Sequence, residues 1–236
     1  VQYVVPPKNT KGTPPVHPSR PPGNILTCAF LAPLIIASIL FTIHCDTPVD
    51  KFICHSLTPA LKQLAQHLSH SAEGQWPVLA GILTLLIAKS LKKHHAHQLG
   101  IALLLCPAIG GLTATVARDL IGRARPEKEI PEGWYGPLYQ GHWTAGSYNL
   151  SSFPSGHSAT AGAAAASLIF LGNRFGWILA LWAGGVAWSR IALHCHHYSD
   201  TYTGLLAASL TIRWLHKSQS PLARYFRNPL HRSHQT

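Results

Sequence analysis

Long apolar stretches alternate with short polar ones along most of the chain. They cover residues 25–43, 76–91, 98–117, 153–172, 175–193 and 201–215. A membrane-spanning helix needs about 20 predominantly apolar residues, and the first, third and fifth stretches have that length. The second and sixth are shorter and carry Lys89 and Arg213 near one end, where a long basic side chain can reach the interface. The pattern predicts an all-α integral membrane bundle of six transmembrane helices. The first stretch is long and lacks a small-residue cleavage site, so it reads as a span and not as a signal peptide. Segment 45–75 follows another rule. Val49, Phe52, Ile53 and Leu57, then Leu61, Leu64, Ala65 and Leu68, recur at helical spacing with Pro59 between them. Two amphipathic pieces lying on the outer interface are predicted there.

Composition agrees with a membrane protein. Of 236 residues, 47% are hydrophobic and 11% charged, against about 25% charged in soluble domains. Such apolarity excludes disorder for the body of the chain, and five cysteines in this length exclude a disulfide-built miniprotein. The net charge of +11 at first points to nucleic acid. Its placement does not. With the N-terminus taken as inside, the inner segments hold Lys8, Lys11, Arg20, Lys89, Lys92, Lys93, Arg174, Arg213, Lys217, Arg224, Arg227 and Arg232, and no acidic residue. The positive-inside rule then puts both termini in the cytoplasm and accounts for the charge without nucleic acid. The domain reading is a disordered proline-rich tail over 1–24, a six-helix membrane domain over 25–216, and a basic cytoplasmic tail over 217–236 that lies near anionic headgroups. Cys28 and Cys106 fall within spans and read as small buried apolar groups. Cys45 and Cys54 share an outer loop, where a disulfide is possible.

The polar residues of the last four spans gather at one end. The third span ends in Arg118, followed by Arg123, Arg125 and Pro126. The fourth begins with Pro154, Ser155, Gly156 and His157, the fifth ends with Ser189, Arg190 and then His196, and the sixth begins at Asp200. Because helix direction alternates, all four groups face the outer side. Clustered arginines repel one another unless an anion joins them, and guanidinium forks match phosphate oxygens. A helix N-terminus built from Ser155, Gly156 and His157 adds free N–H groups, with Pro154 suited to a helix start. The ligand expected is therefore phosphate. His196 and Asp200, four apart, have the spacing of an imidazole oriented by a carboxylate, and His157 from another span can serve as a general acid. The cluster His194, Cys195, His196 and His197 does not suit zinc, because adjacent residues point in different directions.

These residues resemble the motifs of the type 2 phosphatidic acid phosphatase family. The first, Lys-x6-Arg-Pro, reads Arg118-x6-Arg125-Pro126; the second, Pro-Ser-Gly-His, is Pro154–His157; the third, Ser-Arg-x5-His-x3-Asp, is Ser189-Arg190-x5-His196-x3-Asp200. The motifs span residues 118–200, and the six-span pattern extends the likeness over about 25–215. The resemblance implies His196 as nucleophile, His157 as general acid and Asp200 as the partner of His196. It implies Arg118, Arg125, Ser155, Gly156 and Arg190 as phosphate ligands, with no cofactor and no metal. Arg118 stands where the family has Lys. Phosphate binding should survive that change, while rate and substrate range need not.

The expected activity is hydrolysis of a lipid phosphate monoester or diphosphate through a phosphohistidine. The candidate substrates are phosphatidic acid, phosphatidylglycerol phosphate, undecaprenyl diphosphate and a lipid A phosphate. The alternative is a phosphotransferase that passes the phosphate to a lipid or sugar acceptor. The expected partners are the bilayer and its lipid phosphate; the expected location is a bacterial inner membrane with the site facing the periplasm or the outside. His194 and His197 read as bystanders, Arg123 as a rim charge, and Asp200 as a possible N-cap besides its catalytic role. The small-residue run 159–166 reads as a helix-packing surface. The aromatics of loop 127–152 fit a headgroup belt and a substrate lid equally well.

Overall fold

The computed structural model describes residues 23–126 and 130–227. The predicted proline-rich tail up to residue 22, the side chain of Cys28 and the end of the basic tail lie outside the described residues. The chain divides into two units, 1–37 and 38–236. The described part of the first is helical and belongs to α1 (Gly23–His44). The second holds the end of α1 and α2 (Asp46–His55), α3 (Pro59–Ser71), α4 (Gln75–Ser90), α5 (His94–Ile121), α6 (Gly156–Phe170), α7 (Phe175–Ala192), α8 (Tyr198–Lys217) and α9 (Pro221–Arg227).

Each predicted apolar stretch contains a helix, and segment 45–75 is two helices. Pro59 stands at the first position of α3, where its missing N–H is harmless, and Thr58 caps that helix by accepting from Leu61 N at 3.3 Å. Among the described residues, two helices are long and apolar enough to cross a membrane alone: α5, with mean hydropathy 2.0, and α7, with 1.2. Two bent pairs, Ala32–His44 with Asp46–His55 and Pro59–Ser71 with Gln75–Ser90, raise the number to four if each is one span. The structure thus supports two to four spans in a mostly helical membrane protein. The short α6 has 15 residues and meets protein on most of its surface, packing on α5, α7 and α8. A helix apolar all round is stable where neighbours enclose it. Its small residues permit the close approach: a Cβ on Gly110 of α5 would stand 2.7 Å from Ala163 Cβ. Outward apolar side chains such as Leu112, Trp177 and Leu181 remain exposed on α5 and α7, as a lipid-facing surface requires.

Three expectations need correction. Pro154 does not open α6; Ser155 is its N-cap and Gly156 its first residue, so the helix starts three residues into the apolar stretch. Cys45 and Cys54 are free thiols. Nine helical steps of about 1.5 Å separate them by roughly 13 Å, beyond disulfide reach. The basic tail is in part a piece of the core: Phe226 of α9 is buried beside α5 and α8, and Gln98 Nε2 donates to Tyr225 O at 3.0 Å.

Candidate active site

The site forms where the C-terminal ends of α5 and α7 meet the N-terminal ends of α6 and α8. The α7–α8 turn carries His196, which is 1% exposed. Its Nδ1 lies 2.7 Å from the carbonyl oxygen of Ser152. A carbonyl only accepts, so Nδ1 carries the proton and Nε2 keeps its lone pair. Nε2 stands 3.4 Å from Arg125 Nη1. Burial pulls the His196 pKa down to about 4, against the opposing pull of Asp200, so the ring is neutral at physiological pH.

Asp200 is wholly buried in the first turn of α8. The sequence spacing predicts a direct bond to His196, but the carboxylate is 3.6 Å from Nδ1, within ion-pair range and too long for a hydrogen bond. Its oxygens are engaged elsewhere. Oδ2 accepts from Ser152 Oγ at 2.5 Å and from His197 N at 2.8 Å, and Oδ1 accepts from Arg123 Nη1 at 2.6 Å. Ser152 thus relays the effect of Asp200: its hydroxyl bonds the carboxylate while its carbonyl fixes the imidazole. Asp200 is not the N-cap of α8; His197 is, and Asp200 accepts from the N-cap N–H.

The four arginines fall into two kinds. Arg125 is buried, and each of its three nitrogens donates to a backbone carbonyl. Its Nε donates to Tyr148 O at 2.8 Å, Nη1 to Cys195 O at 2.8 Å and Nη2 to Ser151 O at 3.2 Å, with the Tyr148 ring 4.0 Å from the guanidinium. Burial, with Arg190 and Arg118 nearby, holds its pKa below the ordinary arginine value. Arg123, 8% exposed, is no rim charge. It bridges Asp46 at 2.7 Å and Asp200 at 2.6 Å, donates to Ser199 Oγ at 2.7 Å, and lies 4.5 Å from the Trp134 ring. Arg190 spends one donor on Ser69 Oγ at 2.5 Å, and Arg118 one on Thr115 Oγ1 at 2.8 Å. The buried Nε–H of each has no acceptor among the described residues. Unmet buried donors are costly, and an anion between these two cations would satisfy them.

Gly156 lets the Arg118 fork lie against the start of α6: a Cβ there would meet Nη1 at 3.2 Å. A cleft of about 240 Å³ opens at this point, lined by Ala72, Glu73, Gly74, Gly111, Thr115, Arg118, Gly156, His157 and Thr160. Arg190, His196, Glu73 and Arg118 are the charged or titratable groups around His157. The structure therefore brings His157, His196, Asp200, Arg118, Arg125 and Arg190 to one place, with Ser155 and Gly156 at the adjoining helix start. Ser155 Oγ is turned inward, accepting from Ser158 N at 3.4 Å.

Sequence reasoning missed Ser152, Ser69, Glu73, Asp46 and the burial of Arg123. Arg123 has a weak local signal, two residues before Arg125 in Arg-x-Arg-Pro. His197, read as a bystander, meets Asp50 at 3.0 Å. Burial works against a charge on it, yet the Asp50 carboxylate lifts its pKa above the ordinary value. The aromatic loop divides its labour. Trp134 and Tyr148 cover arginines, while Leu138 and Trp143 pair across a two-stranded hairpin (Leu138–Tyr139, β1; His142–Trp143, β2) and stay exposed.

The PAP2 superfamily profile matches residues 99–224, from the start of α5 into α9. The lipid A 1-phosphatase of Rhizobium etli is 29% identical over 78% of this chain and 81% of its own length. The enzyme of the same name from Rhizobium johnstonii is 30% identical over 78% of this chain and 77% of its own. The crystal structure of Aquifex aeolicus LpxE superposes with a TM-score of 0.50 at 21% identity, covering 71% of this chain and 92% of that one, a likeness of fold. The chain belongs to the PAP2 superfamily. It is a phosphoric ester hydrolase and an integral membrane lipid phosphatase.

Proposed function

We propose that the chain removes the phosphate from a lipid A-type substrate, a phosphorylated and acylated sugar, by way of a phosphohistidine on His196. Support for this substrate over the glycerophospholipids and undecaprenyl diphosphate comes from the names of its relatives. The observation that carries the mechanism is the hydrogen bond from His196 Nδ1–H to the Ser152 carbonyl at 2.7 Å. It turns the Nε2 lone pair toward the space shared by the arginines.

In the first step Nε2 attacks phosphorus. The P–N bond forms as the bond from phosphorus to the lipid oxygen breaks, and His157 gives its proton to that leaving oxygen. The positive charge that develops on His196 is balanced by Asp200, 3.6 Å away. The Nε–H groups of Arg118 and Arg190 and the N-terminus of α6 bind the phosphoryl oxygens, where negative charge is densest. Arg125 holds the turn and touches the attacking nitrogen. In the second step water attacks the phosphohistidine, His157 takes the water proton, and His196 leaves as a neutral ring. The chain's own cations and helix start supply the electrostatic stabilisation.

The proposed topology is six spans with both termini in the cytoplasm and the site at the periplasmic face of the inner membrane. Its support is the gathering of the four helix ends at one side, opposite the purely basic segments.

The test is phosphate release by the purified protein in detergent, with chelator present, from a lipid A 1-phosphate beside phosphatidic acid, phosphatidylglycerol phosphate and undecaprenyl diphosphate. The lipid A substrate should be hydrolysed fastest, and His196→Ala should abolish release and trapping of the phosphoenzyme. Retained turnover in His196→Ala would remove the phosphohistidine mechanism.

A further inference from the structure

The leading N–H groups of α8 are met by another helix. Tyr198 N donates to Asp50 Oδ1 at 3.1 Å, and Ser199 N donates to Asp46 Oδ1 at 2.6 Å. Both acceptors belong to α2, four residues apart and so on one helical face. The other oxygen of each is also occupied. Asp46 Oδ2 accepts from Ser199 Oγ at 2.7 Å and from Arg123 Nη2 at 2.7 Å, while Asp50 Oδ2 meets His197 Nδ1 at 3.0 Å. Carboxylates are well placed at a helix N-terminus, where free N–H groups and the dipole favour negative charge.

Asp46 is 6% exposed, and a buried carboxylate is costly unless fully paired. Its pairing leads straight to the reacting ring. Asp46 holds Arg123, Arg123 holds Asp200 Oδ1, Asp200 Oδ2 holds the Ser152 hydroxyl, and the Ser152 carbonyl holds His196 Nδ1. All of these links are 2.7 Å or shorter. Helix α2 precedes the part of the chain that the family profile covers, residues 99–224.

We propose that Asp46 and Asp50 of α2, acting with Arg123, are positioning residues for phosphoryl transfer: they clamp the first turn of α8 and so hold Asp200 and the His196 ring in attacking orientation. The proposal rests on His196 being the nucleophile. Neither aspartate touches the phosphate, so their loss should disturb the transition state and leave substrate binding nearly intact. Asp46→Asn is the sharpest variant. It keeps the side-chain size, but its amide presents a donor to Ser199 or to Arg123.

Full-length wild type and Asp46→Asn in detergent are compared for phosphate release from a lipid A 1-phosphate, with kcat expressed per folded enzyme. The same samples, 15N-labelled at histidine, give imidazole spectra, in which the His196 signal is the one lost in His196→Gln. A misplacement of the reacting group by about 1 Å costs roughly 100-fold, so kcat should fall about 10- to 100-fold with KM within about twofold. The single Nδ1–H tautomer of His196 should give way to a mixture. If kcat and the His196 signal both stay at wild-type values, the clamp is overturned. If Asp46→Asn yields too little folded protein, Asp50→Asn carries the same two readouts with a smaller loss, about three- to tenfold because it releases a longer bond. If wild type releases no phosphate from any lipid but the His196 signal moves in Asp46→Asn, the clamp stands and the substrate assignment fails instead.

Discussion

Arg118 and Arg190 differ from Arg123 and Arg125 in where their donors go. The second pair spends its N–H groups on protein: carbonyls for Arg125, two carboxylates and a hydroxyl for Arg123. The first pair makes one side-chain bond each and leaves a buried Nε–H without an acceptor among the described residues. All four are arginines at one end of the same bundle. Accounting for each donor separates a pair committed to the fold from a pair whose buried Nε–H groups stay open to the proposed phosphate. It also explains how cations can crowd together. Two are neutralised or enclosed by the fold, and the other two are those that the proposed phosphate would neutralise.

The comparison breaks first at Arg190. If its free donor meets the phosphoryl group in the transition state, Arg190→Ala should lower kcat/KM by about 100- to 1,000-fold, the cost of losing one oxyanion donor. Arg190→Lys should recover part of this, because an ammonium keeps the charge and loses the fork. Steady-state phosphate release measures both, and an Arg190→Ala enzyme within threefold of wild type would remove the distinction.

Arg123 should behave differently in kind. Arg123→Lys cannot span Asp46 and Asp200 with one ammonium, so kcat should drop about 10- to 100-fold. KM should hardly change, since Arg123 is buried on Asp46, Asp200 and Ser199 and is no part of the proposed phosphate site. A rise in KM with unchanged kcat would move Arg123 into the ligand-binding pair. Arg118→Lys restores the residue that the family motif carries and keeps a cation against Gly156, so the expected change is a few-fold in kcat/KM.

What the chain displays locally, its sequence displays well. His157, His196 and the arginines at the ends of α5 and α7 lie near one another, and Ser155 caps α6, but the spacing of His196 and Asp200 gives a 3.6 Å ion pair and no direct hydrogen bond. What depends on distant partners is hidden. Arg123 looks like a surface charge until Asp46, 77 positions earlier, is folded against it. Ser152 is one serine among many, and its relay depends on a carbonyl facing His196 in the α7–α8 turn and a hydroxyl facing Asp200 in the first turn of α8. Cys45 and Cys54 look pairable only if the segment between them is a loop, and α2 makes it a helix. The amphipathic pattern of 45–75 predicts the two helices but not their task, because periodicity reports that one face is covered without naming what covers it.

Proton equilibria test the same division more finely. His196 is depressed to about 4 by burial, with Asp200 pulling the other way. Between the ordinary histidine value and that figure the unfolded chain binds the proton and the folded one does not. The stability linked to His196 is therefore full above the ordinary value and is lost as pH falls toward about 4. In the proposed mechanism the neutral ring is also the attacking form, so the acid limb of kcat/KM, which reports the free enzyme, should lie near 4. A limb near the free imidazole value would mean that the buried, neutral ring described here is not the working one.

The smallest expected effect lies in the clamp. His197 is buried, which opposes its charge, but Asp50 at 3.0 Å raises its pKa above the ordinary value. A raised value has the opposite sign of linkage. The contribution of the His197–Asp50 pair is complete below the ordinary histidine value and is lost as pH rises through the raised one. Asp50→Asn removes the partner charge, so the variant should lack this decline. The readout is the difference in Tm between wild type and Asp50→Asn, followed from about pH 6 to about pH 9, the range in which such a histidine titrates. The gap should be widest at the acid end and should close as pH rises, because a neutral His197 has no ion pair to lose. A gap that is constant across the range would show that Asp50 acts only as the acceptor for Tyr198 N, and would place the pair among the saturated contacts whose strength owes nothing to charge.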